Sequence, residues 1–255
     1  ALPVLISADS CQKALPFRCC RGFTPDCLNK VPCPPFPLFP PWRVPQNDTV
    51  SVMNTPIKPP PHPLAVLILA AGESARFGGR KQLADINGSP MICHAIEALR
   101  PVVAEADLFV VLGAFQDEIG PVIDTSAHII TNDSWASGMG SSIAAGMAKI
   151  QHHGSYDGVL IALCDQVRLG RADYDKLITA FNGQTIVAAR HDNGFGVPAI
   201  FPAHMFKLLA ALNGQAGARK VLNGAHHEVI GVDLPNAAQD IDTQDDLIAM
   251  RAQST

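Results

Sequence analysis

Leu64-Ala-Val-Leu-Ile-Leu-Ala-Ala-Gly72-Glu-Ser-Ala-Arg76-Phe-Gly-Gly-Arg80-Lys81-Gln-Leu83 decides how this chain is read. The apolar run stops at Gly72, as a buried strand does where it enters a loop. A glycine-bearing loop after such a strand brings backbone N–H groups to phosphate oxygens. Arg76 and Lys81 add two fixed cations, and Gly78 and Gly79 between them leave room for close backbone approach. Together these features make a triphosphate cradle. The plainer alternative is a tight strand-to-helix turn with solvated charges, which suits a looser glycine loop than this one.

Two familiar cradles are excluded. A P-loop needs G-x-x-x-x-G-K-[ST], whereas Gly79 is followed by Arg80-Lys81-Gln82 and offers no hydroxyl for magnesium. The Rossmann fingerprint fails because Glu73 and Ser74 follow Gly72. The stretch resembles instead the L-A-A-G-x-S-x-R-x-G-x-x-K signature of nucleotidyltransferases. Among these it is most similar to the MobA/MocA group, which attaches a nucleotide to the molybdenum cofactor.

Composition is consistent with small-molecule chemistry. The 255 residues suffice for one large α/β domain or two small ones, and the net charge of −4 advertises no surface for nucleic acid. No apolar run is long enough for a membrane span. Residues 1–63 differ from the rest: they hold most of the prolines and five of the seven cysteines, Cys11, Cys19, Cys20, Cys27 and Cys33. That segment lacks strand or helix periodicity, its cysteine spacings match no common zinc pattern, and five is an odd number for a disulfide framework. We expect a disordered extension over 1–63, with a possible native start at Met53, and a folded domain over 64–255. Cys93 and Cys164 are expected as reduced thiols in a core, in a cytoplasmic protein.

From residue 64 the pattern alternates strand and helix. Strands are expected at 64–71, 108–113, 128–131, 157–163, 184–190 and 228–232. Helices are expected at 89–99, 117–123, 143–150 and 204–212, with a last one capped by Thr243 and Asp246. The implied fold is a Rossmann-like, mostly parallel sheet with helices on both faces. Gly196-Val-Pro198-Ala-Ile-Phe201 is expected as an edge strand tolerating its proline, or as something more specific.

Three further stretches carry chemistry. Asn132-Asp-Ser-Trp-Ala-Ser-Gly138-Met139-Gly-Ser141-Ser142 places glycines and hydroxyls at a helix start, able to bind a base or phosphate, or simply to cap the helix. Asp165 ends a buried strand, where α/β sheets bind ligands, and is either a turn residue or a ligand for Mg²⁺. Asp240-Ile-Asp242-Thr-Gln-Asp-Asp246-Leu247 holds a capping box that leaves Asp240 and Asp242 over.

The resemblance extends through these stretches, over roughly 64–250. It matches the family's N-x-x-W-x-x-G-M-x-x-S-I segment, which helps hold base and ribose, and thus implies nucleotide contacts at Leu69, Ala70, Ala71, Gly72, Lys81, Gly138, Met139, Ser141 and Ser142. It matches L-x-D-Q-P except that Val167 replaces proline, and D-I-D-T-P-E-D-L except that Gln244 does, implying metal ligands at Asp165 and Asp242. Catalytic roles are implied for Arg76, Lys81 and Asp165. Gly196 and Pro198 match G-x-P-x-x-F on the acceptor side. Arg219 matches G-D-x-G-A-R, where Gln215 replaces the acidic residue; with Asp240 these form the implied acceptor set.

The family's chemistry would be Mg²⁺-dependent transfer of CMP from CTP to the terminal phosphate of a molybdopterin-type cofactor, with pyrophosphate released. The pattern of Phe77–Gln82 and of Trp135 through Met139 is more like the cytidylyl branch than the GTP-using one. The alternatives are a transferase using GTP or another phosphorylated acceptor, and a non-catalytic factor delivering cofactor to a molybdenum hydroxylase client.

Overall fold

In the computed structural model, residues 62–103, 107–215, 217–224 and 226–252 are described. The chain divides into two units, Ala1–Asn54 and Thr55–Thr255. The first unit, the Met53 start and all of the expected 1–63 extension but residues 62 and 63 lie outside the described residues. The fold below belongs to the second.

Seven strands form one sheet. They are β1 (Leu64–Leu69), β4 (Leu108–Leu112), β5 (His128–Thr131), β6 (Gly158–Leu163), β7 (Ile186–His191), β8 (Gly194–Pro202) and β9 (Val229–Asp233), in the order β5-β4-β1-β6-β8-β7-β9. β1 pairs in parallel with β4 and β6, β4 with β5, and β7 with β9, while β8 runs antiparallel to both β6 and β7. A two-stranded hairpin, β2 (Asp85–Ile86) and β3 (Ser89–Pro90), sits apart. Its Asn87-Gly88 turn has φ of 52° and 91°, as a two-residue hairpin turn demands.

The helices are α1 (Met91–Leu99), α2 (Gln116–Ile119), α3 (Met139–His153), α4 (Arg171–Ala180), α5 (Phe206–Ala210), α6 (Ala218–Leu222) and α7 (Gln244–Ala252). They cover both faces of the sheet, because β1 is buried on both and alternates. Leu64, Val66 and Ile68 pack with Ile92, Ile96, Leu99 and Leu177 of α1 and α4. Ala65, Leu67 and Leu69 pack with Ile143, Met147, Leu209 and Leu222 of α3, α5 and α6. α3 approaches β1 so closely that a Cβ on Gly146 would lie 2.5 Å from a Leu67 methyl. A third, smaller cluster joins Phe77, Ile86, Met91, Val167, Ile241, Leu247 and Met250 beneath the signature loop.

Three expectations need correction. β8 is an interior strand, not an edge. It keeps Pro198 because the register with β7 breaks there: Ala188 pairs with Ala199 and Ala189 with Gly196, so Val197 and Pro198 form a bulge that asks no ladder bond of the proline. Ser89 does not open α1; it belongs to β3, and Pro90 takes the position before Met91. α6 forms at Ala218–Leu222, where no helix was expected.

Candidate active site

β1, β4 and β6 all end at one edge of the sheet, and a cleft of about 440 Å³ opens there. Its floor is the loop that leaves β1. Gln82, 2% exposed, donates its amide to Ala70 O at 2.9 Å and to Gly72 O at 2.8 Å. In a trans peptide the N–H lies opposite the carbonyl. Holding those two carbonyls on the Gln82 side therefore turns the N–H groups of Ala71 and Glu73 the other way. The clamp thus leaves the Ala71 and Glu73 N–H groups as candidate phosphate donors. The loop pays for its shape with left-handed backbone at Ser74 (φ 57°), Gly78 (94°), Gly79 (96°) and Arg80 (45°). Arg80 is fastened to Glu118 at 2.6 Å and lies over the Phe115 ring, so it faces α2 and not the cleft.

Lys81 is the electrostatic centre. Its Nζ lies 2.7 Å from Asp165 Oδ2 and 3.1 Å from Asp242 Oδ1, and Arg76 reaches Asp242 Oδ2 at 2.9 Å. Burial alone would pull the ammonium down. The Asp165 carboxylate, with help from Asp242, outweighs that and holds Lys81 above the usual lysine value. Lys81 thus stays charged at every physiological pH. The second oxygen of Asp165, Oδ1, is buried without a partner among the described residues.

A buried anionic oxygen with no donor is what a divalent cation would satisfy, so the site fits one. Two carboxylates on separate segments suit Mg²⁺, which completes its shell with phosphate oxygens and water. No group of three or more His, Cys, Asp or Glu that could hold a metal ion gathers among the described residues. The nearby Asp240 is pushed up to about 6, first by exclusion from water around its carboxyl and then by the Asp165 charge, although the residue overall remains exposed.

The other wall is the start of α3. Gly138 has a φ of 124°, and a Cβ there would lie 2.4 Å from Gly214 O, so only glycine lets this turn meet the 214–215 segment. Gly140 N donates to the same carbonyl at 3.0 Å. Ser141 and Ser142 do not cap α3. Asn132, 5% exposed, donates its amide to both hydroxyls at 2.9 and 3.0 Å, and Ser141 donates on to Gly138 O. Met139, at the helix start, lines the cleft beside this network, while the Gly140 N–H is already taken by Gly214 O.

The cleft brings together Leu69, Ala70, Ala71, Gly72, Arg76, Lys81, Gly138, Met139, Ser142, Asp165 and Asp242. Ser141 sits behind Ser142 and does not line it. Gly196 and buried Pro198 lie on β8, exposed Arg219 on α6, and Asp240 just outside the cleft lining. At the same sheet edge a second cavity of about 590 Å³ is lined by Arg190, His191, Phe195 and Asp233 among others. Trp135 and Gln215 line the cleft without having been assigned a contact from sequence. Gln82, Asn132 and Gln166 were missed as well, although all three stand inside the quoted motifs.

Residues 66–229 match the model of the MobA-like NTP transferase domain. The chain is 28% identical over 189 residues to nicotine blue oxidoreductase of Paenarthrobacter nicotinovorans, covering 69% of this chain and 91% of that one. It is 32% identical over 120 residues to molybdenum cofactor guanylyltransferase of Pseudomonas aeruginosa, covering 46% of this chain and only 56% of the relative. Among solved structures, the homolog of Rv0371c from Mycobacterium sp. strain JC1 superposes with a TM-score of 0.64 at 26% identity, over 74% of this chain and 96% of the other.

Proposed function

Because the chain belongs to the MobA-like NTP transferase family and is thus an enzyme of the nucleotidyltransferase type, we propose that it transfers CMP from CTP to the terminal phosphate of a molybdopterin-type cofactor, with Mg²⁺ and release of pyrophosphate. The observation that carries this is Lys81 held between Asp165 and Asp242 at the carboxyl end of β6. The molybdenum-cofactor acceptor draws further support from the name of the Pseudomonas relative. The choice of CTP rests on the residue pattern around Phe77–Gln82 and Trp135–Met139.

Nucleotidyl transfer is accelerated mainly by positioning and charge stabilisation, with no protein nucleophile required. The N–H groups of Ala71 and Glu73, with Arg76 and Lys81, would hold the triphosphate and steady the departing pyrophosphate. Trp135, Gly138, Met139 and Ser142 would bound the base and ribose. When bound at Asp165 and Asp242, Mg²⁺ would supply neutralising charge at the reacting phosphates. The acceptor would approach from β8, near Gly196 and Pro198, with Arg219 meeting its negative charge. A phosphate acceptor is already anionic at neutral pH, so no general base is needed.

Purified protein with CTP or GTP, Mg²⁺ and molybdopterin, read by pyrophosphate release, tests this. CTP-dependent pyrophosphate is expected. Release from GTP alone would move the assignment to the guanylyl reaction, and release only with another phosphorylated acceptor would replace the substrate. Cofactor binding without pyrophosphate would support a delivery factor for a hydroxylase client. Redox turnover without pyrophosphate would align it with the oxidoreductase relative.

A further inference from the structure

Gln166 follows Asp165 and is 4% exposed. Its side-chain nitrogen donates to Val197 O at 3.0 Å and to Ala237 O at 2.9 Å. The two acceptors are carbonyls, so the amide orientation is fixed by chemistry: only the NH₂ end can face them. The same amide also hydrogen-bonds the Asp240 carboxyl, so its two hydrogens are shared among three acceptors. The amide oxygen is buried with no partner among the described residues. A buried amide that leaves its own acceptor unsatisfied is kept for what its donors hold.

What they hold is the far side of the cleft. Val197 belongs to the β8 bulge that carries Gly196 and Pro198. Ala237 lies in the 3-10 turn Pro235–Ala238, five residues before Asp242. Close by, Ile241 N donates to Asp165 O at 3.2 Å. Residues 165 and 166 thus collect three segments: the end of β6, the bulge of β8 and the arm leading to Asp242. The loop that holds the triphosphate is clamped separately, by Gln82.

We propose that Gln166 is a positioning residue that sets the spacing of Asp165 and Asp242 and the register of the Val197–Pro198 segment, and so governs metal and acceptor binding without touching the nucleotide loop. This rests on the cleft being a nucleotidyl-transfer site. Gln166→Met keeps length and volume but has no donor. Gln166→Glu keeps the shape and opposes a carboxylate to two carbonyl oxygens. In both variants Mn²⁺ binding, followed by electron paramagnetic resonance, weakens about 10- to 100-fold, as loss of groups that orient metal ligands does elsewhere. The acceptor KM rises in parallel, while the Kd of CTP measured without metal stays within twofold.

The inference is overturned if both folded variants keep wild-type Mn²⁺ affinity and acceptor KM. It is also overturned if metal-free CTP binding falls by the same factor as the rest, since that would mark a general loss of structure. Wild-type protein that binds Mn²⁺ and CTP yet releases no pyrophosphate would defeat the proposed reaction instead. The binding measurements would still judge Gln166.

Discussion

The two carboxylates on Lys81 belong to different kinds of chain. Asp165 follows the end of β6, its side chain 14% exposed, with one oxygen on Lys81 and the other buried without a partner among the described residues. Asp242 stands on an irregular arm, its side chain 34% exposed, with one oxygen on Lys81 and the other on Arg76. The first stands two residues past the last ladder pair of β6, Leu69 with Leu163; the second is supported by Ile241 and Leu247 in a small apolar cluster and by hydrogen bonds to its neighbours. Similar ligands on unequal supports imply unequal duties. In the proposed reaction Asp165 would fix where a cation sits, and Asp242 would trim the charge around it.

Asp165→Asn tests that asymmetry hardest. It keeps the shape and removes the charge at the unsatisfied oxygen, so kcat/KM for pyrophosphate release is expected to fall roughly 10³-fold or more. Lys81→Met comes next, at roughly 10²- to 10³-fold, because a charge is lost beside the phosphates while two carboxylates are left facing each other. A melt would show this second variant losing Tm as well, since Asp165 is then left without its cation. Asp242→Asn should cost less, on the order of 10-fold, and should raise the metal concentration needed for half-maximal rate. Equal losses at 165 and 242 would erase the distinction between the two arms.

The same contrast separates what was legible in the sequence from what was not. Gly72 through Lys81 and Asp165 could be read because backbone freedom, charge and strand ending are local properties. The unbroken apolar run of β1 and the alternation of strand and helix after it likewise announced a sheet covered on both faces. α4 went unread: in Arg-Ala-Asp-Tyr-Asp-Lys-Leu-Ile-Thr-Ala only Tyr174 and Leu177 are buried, too thin a stripe for periodicity to stand out. The interior place of β8 was hidden because a proline is an edge signal until the bulge that carries it is known. The amide side chains of Gln82, Asn132 and Gln166 could not be read at all. Gln166 meets Ala237 across 71 residues of sequence, and no local pattern records such a bond.

The weakest member of the Asp242 arm gives the smallest and most selective test. The expected capping box forms: Asp246 Oδ2 accepts from Thr243 N at 2.7 Å, Thr243 Oγ1 at 2.8 Å and Asp242 N at 3.0 Å, and Asp246 N donates to Thr243 Oγ1 at 3.2 Å. These bonds, the Thr243 hydroxyl foremost, hold the Asp246 carboxyl below its ordinary 3.8. A depressed carboxylate contributes stability that is present above 3.8 and disappears as pH falls through the lowered value. Acidification should therefore release the arm at α7 first, read as faster hydrogen exchange at the Asp242 and Thr243 amides below pH 4, while amides of β6 stay protected. Asp246→Asn should bring that fast exchange up to neutral pH, with a small drop in Tm and a modest rise in the metal requirement. If instead the β6 amides and the arm were released together, Asp165 and Asp242 would share one support, and the division of labour between them would have no structural basis.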